Sequence, residues 1–403
     1  MKQINIGLIG FGCVGQGLYE VFQHSLRNIG IIHRICVKNK EKPRSLPLNY
    51  FTFNVNDILT DPKIDTVVEA IDDAEEAYRI AQRALHEGKN LVTANKQMLA
   101  LHLKELHDLA LRKGKSLLYE ASACGSIPII RLLEEYYDTE PLRYIGGVFN
   151  GTTNYILTRT CLEGLDYSEA LNEAQRYGFA ESDPTSDVDG WDPTYKLVIL
   201  VLHAFGIYLN PHEVPRLGIT TLRQVDRTFA EKNRYRLRLL AGCCSEIENT
   251  YYYFVLPVLV SSKSLLYEMN YEYNGIFVEG QFTSQQFLRG KGAGAHPTGS
   301  ALLSDLSALV YDYRYELKKR TTNLWSSHRE KMLRVYLRWH RANPWAELCP
   351  VRWEEKQGNA TEEWGIGWVR YEHLGQLSQQ ARQQEGFLAL VEEPWHQPAP
   401  PSP

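Results

Sequence analysis

The chain has 403 residues, and at roughly 100 to 200 residues per domain this length predicts two or three domains rather than one large core. Lys and Arg together number 44 and Asp and Glu 48, a formal net charge of -4, which disfavours a protein that binds nucleic acid or an anionic membrane. Hydrophobic residues make up 44% of the chain, as in globular proteins with buried cores, so wholesale disorder is excluded.

The N-terminal segment and the cysteines bear on the cellular compartment. The first 15 residues contain four glycines and no basic region followed by a long apolar stretch, so no secretion signal is expected. No stretch reaches the roughly 20 apolar residues that a membrane helix requires. The seven cysteines include no C-x-x-C pair, which indicates neither a disulfide framework nor a zinc ribbon. We therefore expect a cytoplasmic protein.

Strands and helices alternate over about the first 130 residues. An apolar strand is predicted at 3–8, a helix at 16–24 and a strand at 31–37, with a glycine turn between the first two. Strands separated by helices are typical of a parallel, doubly wound sheet, so we predict a Rossmann-type α/β domain. Further predicted elements are strands at 66–71, 91–93 and 116–118 and helices at 74–87 and 102–112.

Beyond this region the pattern changes. Helices follow one another, and the predicted strands are rich in aromatic and β-branched residues. This pattern indicates a second, α+β domain with a mixed or antiparallel sheet. In this domain the predicted helices are 154–163, 167–177 and 197–205, and the predicted strands are 144–149, 235–240, 251–260 and 271–278. A further helix is predicted at 298–311, and beyond residue 318 the predicted strands 332–339, 364–371 and 387–391, with intervening helices, form a small third module.

Three glycines, Gly10, Gly12 and Gly15, mark the turn after the first strand. In the pattern G-x-G-x-x-G the first permits a tight turn, the second lets the backbone approach a pyrophosphate, and the third permits close packing of helix and strand. The helix N-terminus offers unpaired N–H groups to the phosphates. Because the motif lies in a strand–helix–strand unit, we favour a dinucleotide site over a tight turn without a ligand.

A basic loop with Lys38, Lys40 and Arg44 follows the second predicted strand. An NAD-selective site places an acid at the end of this strand for the ribose hydroxyls, and this chain has none there. Cationic side chains in the loop would pair with the 2′-phosphate of NADP. The sequence therefore slightly favours NADP over NAD, and the alternative is a solvated basic loop.

The segment 178–196 carries five carboxylates within 12 residues and ends in Lys196. Asp192 precedes a proline and an apolar helix, which predicts Asp192 and Lys196 one turn apart on the same helical face. The lysine is then either held at a site or extended to the surface. The alternative is a capping loop with one ordinary ion pair. Calcium is not favoured, because the spacing differs from that of an EF-hand.

Six segments between residues 7 and 306 recur together in one known family. They are GLIGFGCVGQGL (7–18), VTANKQMLA (92–100), EASACGSIPI (120–129), FNGTTNYIL (149–157), GFAESDPTSDVDGWDPTYK (178–196) and GKGAGAHPTGSALLSDL (290–306). In this order they resemble the homoserine dehydrogenases. The resemblance implies reversible reduction of aspartate 4-semialdehyde to homoserine with NAD(P)H, on the route to threonine and methionine.

The resemblance implies a role for each matched residue. Lys196 would be the acid/base group, because a hydride that reaches an aldehyde carbon leaves an alkoxide that needs a proton. Asp192 would hold the ammonium group of Lys196 or contact the substrate hydroxyl, and Lys96 would be a second lysine at the substrate and the nicotinamide. The implied substrate-binding residues are Glu181, Asp187, Thr152, Thr153 and Asn150, although both threonines also suit a helix cap.

The resemblance also implies ligands and partners. The cofactor would be NADP or NAD. A sodium or potassium ion would be bound by Glu120 and by the backbone carbonyls of Ala123, Gly125 and Ile127. The protein would form a homodimer or a higher homo-oligomer. No catalytic metal is needed for hydride transfer. The implied cofactor-binding residues are Gly10, Gly12, Cys13, Val14, Gly15, Lys38, Lys40, Arg44, Lys96, Gly292 and Gly294.

The resemblance covers about residues 1 to 320. Many relatives carry an ACT regulatory domain after this point, and we expect a small α/β ACT-like module here, with no inference about threonine sensitivity. Asp72 and Asp73 stand where two glycines are usual in the family. The predicted domains are 1–133 for dinucleotide binding, 134–297 for catalysis and dimerisation, 298–320 for a helix that returns to the first domain, 321–395 for the ACT-like module and 396–403 for a disordered tail.

Two other functions compete with this one. An acyl-enzyme-forming semialdehyde dehydrogenase needs an activated cysteine, for which Cys124 and Cys161 are the candidates. Each is alternatively a small buried hydrophobe. A non-catalytic NADP-binding regulator would have no need of Asp192 and Lys196 at helical spacing.

Overall fold

The computed structural model describes residues 3–247, 249–319 and 325–395. These residues form two compact units, one of 3–138 with 290–319 and the other of 139–289 with 325–395. The tail predicted to be disordered, 396–403, lies outside the described residues. No helix in the described ranges is long and apolar enough to cross a bilayer.

The elements are numbered in chain order over the described residues. The strands are β1 Ile4–Ile9, β2 Gly30–Cys36, β3 Phe51–Thr52, β4 Thr66–Glu69, β5 Asn90–Thr93, β6 Leu117–Leu118, β7 Leu142–Val148, β8 Tyr235–Ile247, β9 Thr250–Ser261, β10 Tyr273–Gly280, β11 Ser284–Lys291, β12 Ser326–Ser327, β13 Met332–His340, β14 Arg352–Gly358, β15 Glu362–Arg370 and β16 Phe387–Val391. The helices are α1 Cys13–Gln23, α2 Asn56–Leu59, α3 Ala74–His86, α4 Lys96–Lys113, α5 Ile129–Glu135, α6 Gly151–Cys161, α7 Tyr167–Arg176, α8 Thr185–Val188, α9 Trp191–Phe205, α10 Gln224–Lys232, α11 Ala295–Leu309 and α12 Leu374–Gln383.

The first unit contains a parallel sheet with the strand order β3-β2-β1-β4-β5-β6. This is the order of doubly wound dinucleotide-binding sheets. Strand β4 is buried along its whole length, as expected for a parallel strand that has helices on both faces. The predicted Rossmann-type α/β fold is confirmed.

Helix α11 packs against α1 within the first unit. Two glycines permit the close approach of the two helices. A Cβ atom on Gly17 would lie 2.1 Å from the carbonyl oxygen of Ala295, and one on Gly299 would lie 2.6 Å from the amide nitrogen of Leu18. Side chains at either position would therefore push the helices apart.

The second unit is built on a large mixed sheet with the order β11-β10-β7-β8-β9-β16-β13-β15-β14. Neighbouring strands pair antiparallel in β10–β7, β7–β8, β8–β9, β13–β16, β13–β15 and β14–β15, whereas β16 is parallel to β9. Helix α9, which carries Lys196, packs against β7 and β8. The expected α+β architecture is confirmed.

The strands after residue 325 extend this second sheet. Strand β16 lies between β9 and β13, and Trp339 of β13 belongs to the same hydrophobic core as Phe254 of β9. A separate ACT-like module is therefore not confirmed. Strand β14 was not predicted, because its side chains are almost all polar and exposed at the sheet edge and give no apolar alternation.

Candidate active site

The glycine turn of the first unit has the geometry expected of a phosphate-binding loop. Gly10 has a φ of +98°, and a Cβ atom there would lie 2.3 Å from the carbonyl oxygen of Ala70. A Cβ atom on Gly15 would lie 2.3 Å from the carbonyl oxygen of Gly10. The chain can therefore turn this tightly only with glycine at both positions.

The N-terminus of α1 fits an anionic group. Gly12 is the N-cap residue, and no side chain caps the helix at this end. A Cβ atom on Gly12 would have no atom within 4 Å, so the space in front of the helix is open. Cys13 is exposed and Val14 is half-buried at the start of the helix. Uncapped N–H groups beside open space suit the pyrophosphate of a dinucleotide.

The basic side chains of the loop after β2 already make contacts within the protein. The guanidinium of Arg44 donates hydrogen bonds to the carbonyl oxygens of Lys42, at 2.6 Å, and Asn39. Lys38 pairs with Glu76 at 3.2 Å while its side chain stays 88% exposed, and the ammonium of Lys40 lies over the ring of Phe53. Lys38 and Lys40 therefore remain candidates for a phosphate contact, whereas Arg44 stabilises the loop itself.

Lys196 and Asp192 form a buried ion pair in the first turns of α9. The Lys196 ammonium donates to the Asp192 carboxylate at 2.7 Å and to the Phe149 carbonyl oxygen at 2.8 Å. Lys196 is 6% exposed and Asp192 is 3% exposed. Buried charges persist only when they are paired and hydrogen-bonded. An ammonium has three donors, so these two contacts leave one N–H for a further acceptor.

Asn150 joins this pair to a second carboxylate. Its side-chain amide nitrogen donates to Asp187 at 2.6 Å and to Asp192 at 2.8 Å. Its side-chain oxygen accepts from the Thr153 backbone N–H at 2.7 Å and thereby caps helix α6. The predicted residues Asn150, Asp187, Asp192 and Lys196 therefore form one hydrogen-bonded cluster.

Asn274 belongs to the same cluster and was not predicted. Its side-chain amide donates to the Phe149 carbonyl oxygen at 3.0 Å, the same oxygen that Lys196 contacts. Asn274 is fully buried on β10. The available signal was an asparagine inside an otherwise aromatic and apolar strand. The Phe149 carbonyl has no signal in the sequence, because every residue has a backbone oxygen.

Of the remaining residues predicted to bind substrate, the two threonines make hydrogen bonds within the protein and Glu181 is exposed. The Thr152 hydroxyl donates to the Phe179 carbonyl at 2.5 Å, and the Thr153 hydroxyl donates to Asn150. Neither threonine is the N-cap residue, because Asn150 takes that role. Glu181 is exposed, and within the described part of the chain no hydrogen bond joins its carboxylate to the cluster.

Lys96 is the first residue of helix α4 in the first unit. The Asn95 side chain caps this helix by accepting from the Met98 N–H at 2.9 Å. Lys96 is half-buried, so it is not the exposed helix-start lysine that position alone suggests.

In the segment 120–127, where a cation was predicted, the Glu120 side chain stabilises the start of helix α5. The Glu120 carboxylate accepts from the N–H groups of Ile130 at 2.9 Å and Arg131 at 2.8 Å, at the start of α5. Burial, with Asp305 nearby, raises the pKa of Glu120 to about 8. Ala123 and Gly125 frame a turn in which Gly125 has a φ of +58°, and the Ile127 carbonyl accepts from the N–H of Ile129. The cation site stays a prediction.

The second glycine turn lies against this segment within the first unit. A Cβ atom on Gly125 would lie 2.7 Å from the carbonyl carbon of Gly292. Gly294, with a φ of +121°, is the N-cap residue of α11. His296 in the next turn pairs with Glu20 at 2.7 Å on the surface, which gives this histidine a structural partner.

Comparison with known proteins identifies the family. A family model described as homoserine dehydrogenase matches residues 128–307, and one described as its NAD-binding domain matches residues 10–120. The homoserine dehydrogenase of Synechocystis is 37% identical over 317 residues, 76% of this chain and 73% of the relative. That of Bacillus subtilis is 35% identical over 323 residues, 78% of this chain and 74% of the relative. The chain belongs to the homoserine dehydrogenase family.

Solved homoserine dehydrogenase structures share the whole architecture. The enzyme of Thiobacillus denitrificans superimposes with a TM-score of 0.85 at 28% identity and covers 98% of this chain and 99% of its own. A Staphylococcus aureus enzyme gives a TM-score of 0.74 at 28% identity over 97% of this chain and 100% of its own. Both alignments include the C-terminal strands, so this homoserine dehydrogenase fold extends beyond residue 320.

Family membership and geometry both disfavour the cysteine alternative. Cys124 is 1% exposed and has a left-handed backbone, with a φ of 56°. Burial raises the pKa of the Cys161 thiol, whereas an activated nucleophile needs a lowered one. The alternative of a regulator without catalysis is equally unsupported, because the family models and the relatives named above are homoserine dehydrogenases.

Proposed function

We propose that this protein catalyses the reversible reduction of aspartate 4-semialdehyde to homoserine with a nicotinamide cofactor. The observation that carries the proposal is the buried ion pair of Lys196 with Asp192, whose contacts leave one ammonium N–H for a substrate oxygen. The family relatives named above support the same activity.

Each direction of the reaction needs one proton transfer at the substrate oxygen. The reduced nicotinamide, when bound, supplies the hydride for the aldehyde carbon. Lys196 donates a proton to the resulting alkoxide and becomes a neutral amine. In homoserine oxidation the neutral amine of Lys196 accepts the hydroxyl proton. Asp192 fixes the position of the Lys196 nitrogen in both directions.

Charge complementarity supports the proposed substrate contacts. Homoserine carries an ammonium group, for which Asp187 and the exposed Glu181 offer carboxylates. The backbone N–H of Thr152 lies at the start of α6, where a helix attracts an anion such as the substrate carboxylate. The Thr153 N–H already donates to the Asn150 cap. Lys96 is proposed to act at the substrate and the nicotinamide.

The cofactor proposal rests on the first unit. Residues 10–15 would bind the pyrophosphate, and Gly292 with Gly294 would complete the nicotinamide side. Lys38 and Lys40 favour NADP, because both ammonium groups keep solvent-exposed positions in the loop after β2. A mutant of a hyperthermophilic archaeal homoserine dehydrogenase, 24% identical to this chain, was solved in complex with NADPH. A cytoplasmic location, a homo-oligomer and a sodium or potassium ion at residues 120–127 complete the proposal.

The direct test is an assay of the purified protein with homoserine and each oxidised dinucleotide in turn, followed by absorbance of the reduced nicotinamide. We expect reduction of the dinucleotide only when homoserine is present. Absence of homoserine-dependent reduction with both dinucleotides would contradict the proposed function.

A further inference from the structure

All the hydrogen-bonding capacity of the Asn150 side chain is occupied within the protein. A carboxamide has two N–H donors and an oxygen with two lone pairs. The two donors contact Asp187 and Asp192, and the oxygen accepts from the backbone N–H of Thr153 and from its hydroxyl at 2.9 Å. Asn150 is also only 3% exposed. A substrate therefore finds no free polar atom on this side chain.

The amide of Asn150 brings two carboxylates of like charge together. The same Asp192 oxygen that accepts from Asn150 also accepts from Lys196. Two donors on one oxygen fix the orientation of the carboxylate. The Asn150 amide is a neutral donor that stabilises both carboxylates. Without it, the negative charges of Asp187 and Asp192 would interact more strongly with the Lys196 ammonium and favour its protonated form.

We propose that Asn150 is a positioning residue of the proton-transfer site rather than a substrate ligand. Its amide aligns Asp192 beneath the Lys196 ammonium and limits how strongly the two carboxylates retain the Lys196 proton. This inference rests on the proposed function, because it assigns Asn150 to the proton transfer that Lys196 performs.

The elements that pack against the helix of Lys196 carry the following polar and titratable groups. Helix α9 packs against α8, β7, β8 and the turn Pro211–Glu213. Helix α8 contributes the Asp187 carboxylate, and the residue after β7 contributes the neutral Phe149 carbonyl. On β8, burial keeps the Cys243 thiol protonated by raising its pKa. In the turn, the His212 ring packs on Trp191, and Glu213 is exposed.

Two substitutions separate positioning from helix capping. Serine and aspartate are both good N-cap residues, so Asn150→Ser and Asn150→Asp keep an acceptor for the Thr153 N–H and remove both amide donors. Asn150→Asp also adds a negative charge. The matched control is the same pair of changes at Asn210, an exposed side chain that caps the turn at His212 within the same unit.

The measurement is the pH dependence of homoserine oxidation, in which Lys196 must be neutral. We expect Asn150→Asp to shift the acidic limb of the pH profile of kcat to higher pH by about one unit or more, because an added carboxylate stabilises the Lys196 ammonium. Asn150→Ser should move it less in the same direction and lower kcat by about tenfold. Both Asn210 variants should keep the wild-type limb, and NADPH binding should be unchanged in all four.

Three results would overturn the inference. A raised KM for homoserine with the pH limb unmoved would make Asn150 a substrate ligand. A lowered melting temperature with wild-type kcat and pH limb in the folded enzyme would make it only a cap. Wild-type behaviour of both Asn150 variants would give it neither role. A wild-type protein without homoserine oxidation would instead refute the proposed function itself.

Discussion

Asp192 is the charged partner of Lys196, and the Phe149 carbonyl is the neutral one. Asp192→Asn removes the charge while it keeps the shape of the side chain. The Lys196 ammonium then loses its stabilising carboxylate, so we expect the acidic limb of homoserine oxidation to move to lower pH by about one to three units. A pH profile of kcat provides the measurement. A limb that stays in place would show that Asp192 does not interact with the titrating group.

The basic loop gives a second prediction for single residues. Lys38→Ala combined with Lys40→Ala should raise the dissociation constant of NADPH by about tenfold and leave that of NADH nearly unchanged, because only NADPH has a 2′-phosphate. Fluorescence titration with each reduced dinucleotide measures both constants. Equal weakening of the two would remove the loop from cofactor selection. Arg44→Ala is a control for the loop fold, because the Arg44 guanidinium already binds two loop carbonyls.

The residue types of the site were predictable, and their partners were not. Asp192 and Lys196 could be paired from their helical spacing, since side chains four apart share a face. The contacts of Asn150 with Asp187 and Asp192 join residues 37 and 42 positions apart, and the contact of Asn274 with Phe149 spans 125. Such contacts depend on how α6, α8, α9 and β10 pack, which local patterns do not contain.

Strand β4 ends in a buried carboxylate that makes the first unit sensitive to pH. Burial raises the pKa of Glu69 to about 7 from an ordinary value of 4.5, although Thr93 and the Ile71 N–H donate to it. The folded state therefore keeps a proton that the unfolded state loses, so this stabilisation is complete below about pH 4.5 and is lost as the pH rises through about 7.

We expect Glu69→Gln to reduce the loss of stability between these pH values. At about 1.4 kcal/mol per unit of pKa shift, the difference between wild type and variant is of the order of 3 kcal/mol. Urea denaturation at the two ends of the range measures it. Equal losses in both proteins would show that Glu69 does not titrate with folding. The pKa values of Glu120 and Asp305 are also raised, to about 8 and about 7. Wild type and Glu69→Gln should therefore share a remaining loss of stability over this pH range.

Element bounds show where local patterns are sufficient. The apolar strand at 387–391 was predicted with its observed bounds, because every residue in it is buried. Helix α4 begins at Lys96 rather than at 102, since the Asn95 side chain caps it. Helix α9 begins at Trp191, so that Asp192 lies in its first turn as its spacing to Lys196 predicted, and the N-cap Gly190 has a left-handed backbone. The start of α4 therefore depends on capping rather than on apolar periodicity.

At the scale of the molecule, the two sheets were predicted and the extent of the second was not. A small C-terminal module was expected because many relatives carry an ACT domain after this point and three strands are predicted there. The pairing of β16 with β9 instead makes these strands part of the second unit. Long-range strand pairing carries no local signal, so the continuity of the sheet could not be predicted.

A buried ion pair also ties the C-terminal strands to the rest of the second unit. Arg338 on β13 is fully buried and pairs with Asp226 on α10 at 3.0 Å. Loss of one partner from such a pair costs about 3 to 5 kcal/mol, because the other charge remains buried.

Deletion of residues 320–403 should therefore unfold the second unit. It would expose the β9 edge and leave Asp226 unpaired. We expect insoluble or inactive protein, measured as the yield of soluble chain and its homoserine oxidation. A soluble truncated enzyme with wild-type activity would instead indicate an independent C-terminal module.

The central claim is that the Lys196 nitrogen carries the proton to and from the substrate oxygen, and single-turnover oxidation of NADPH by aspartate 4-semialdehyde tests it most directly. Lys196→Ala removes the donor, while Lys196→Arg keeps a cation beside Asp192 that does not give up its proton. We predict that both variants bind NADPH normally and turn over about a thousandfold more slowly than wild type. Turnover near the wild-type rate in either variant would contradict the account.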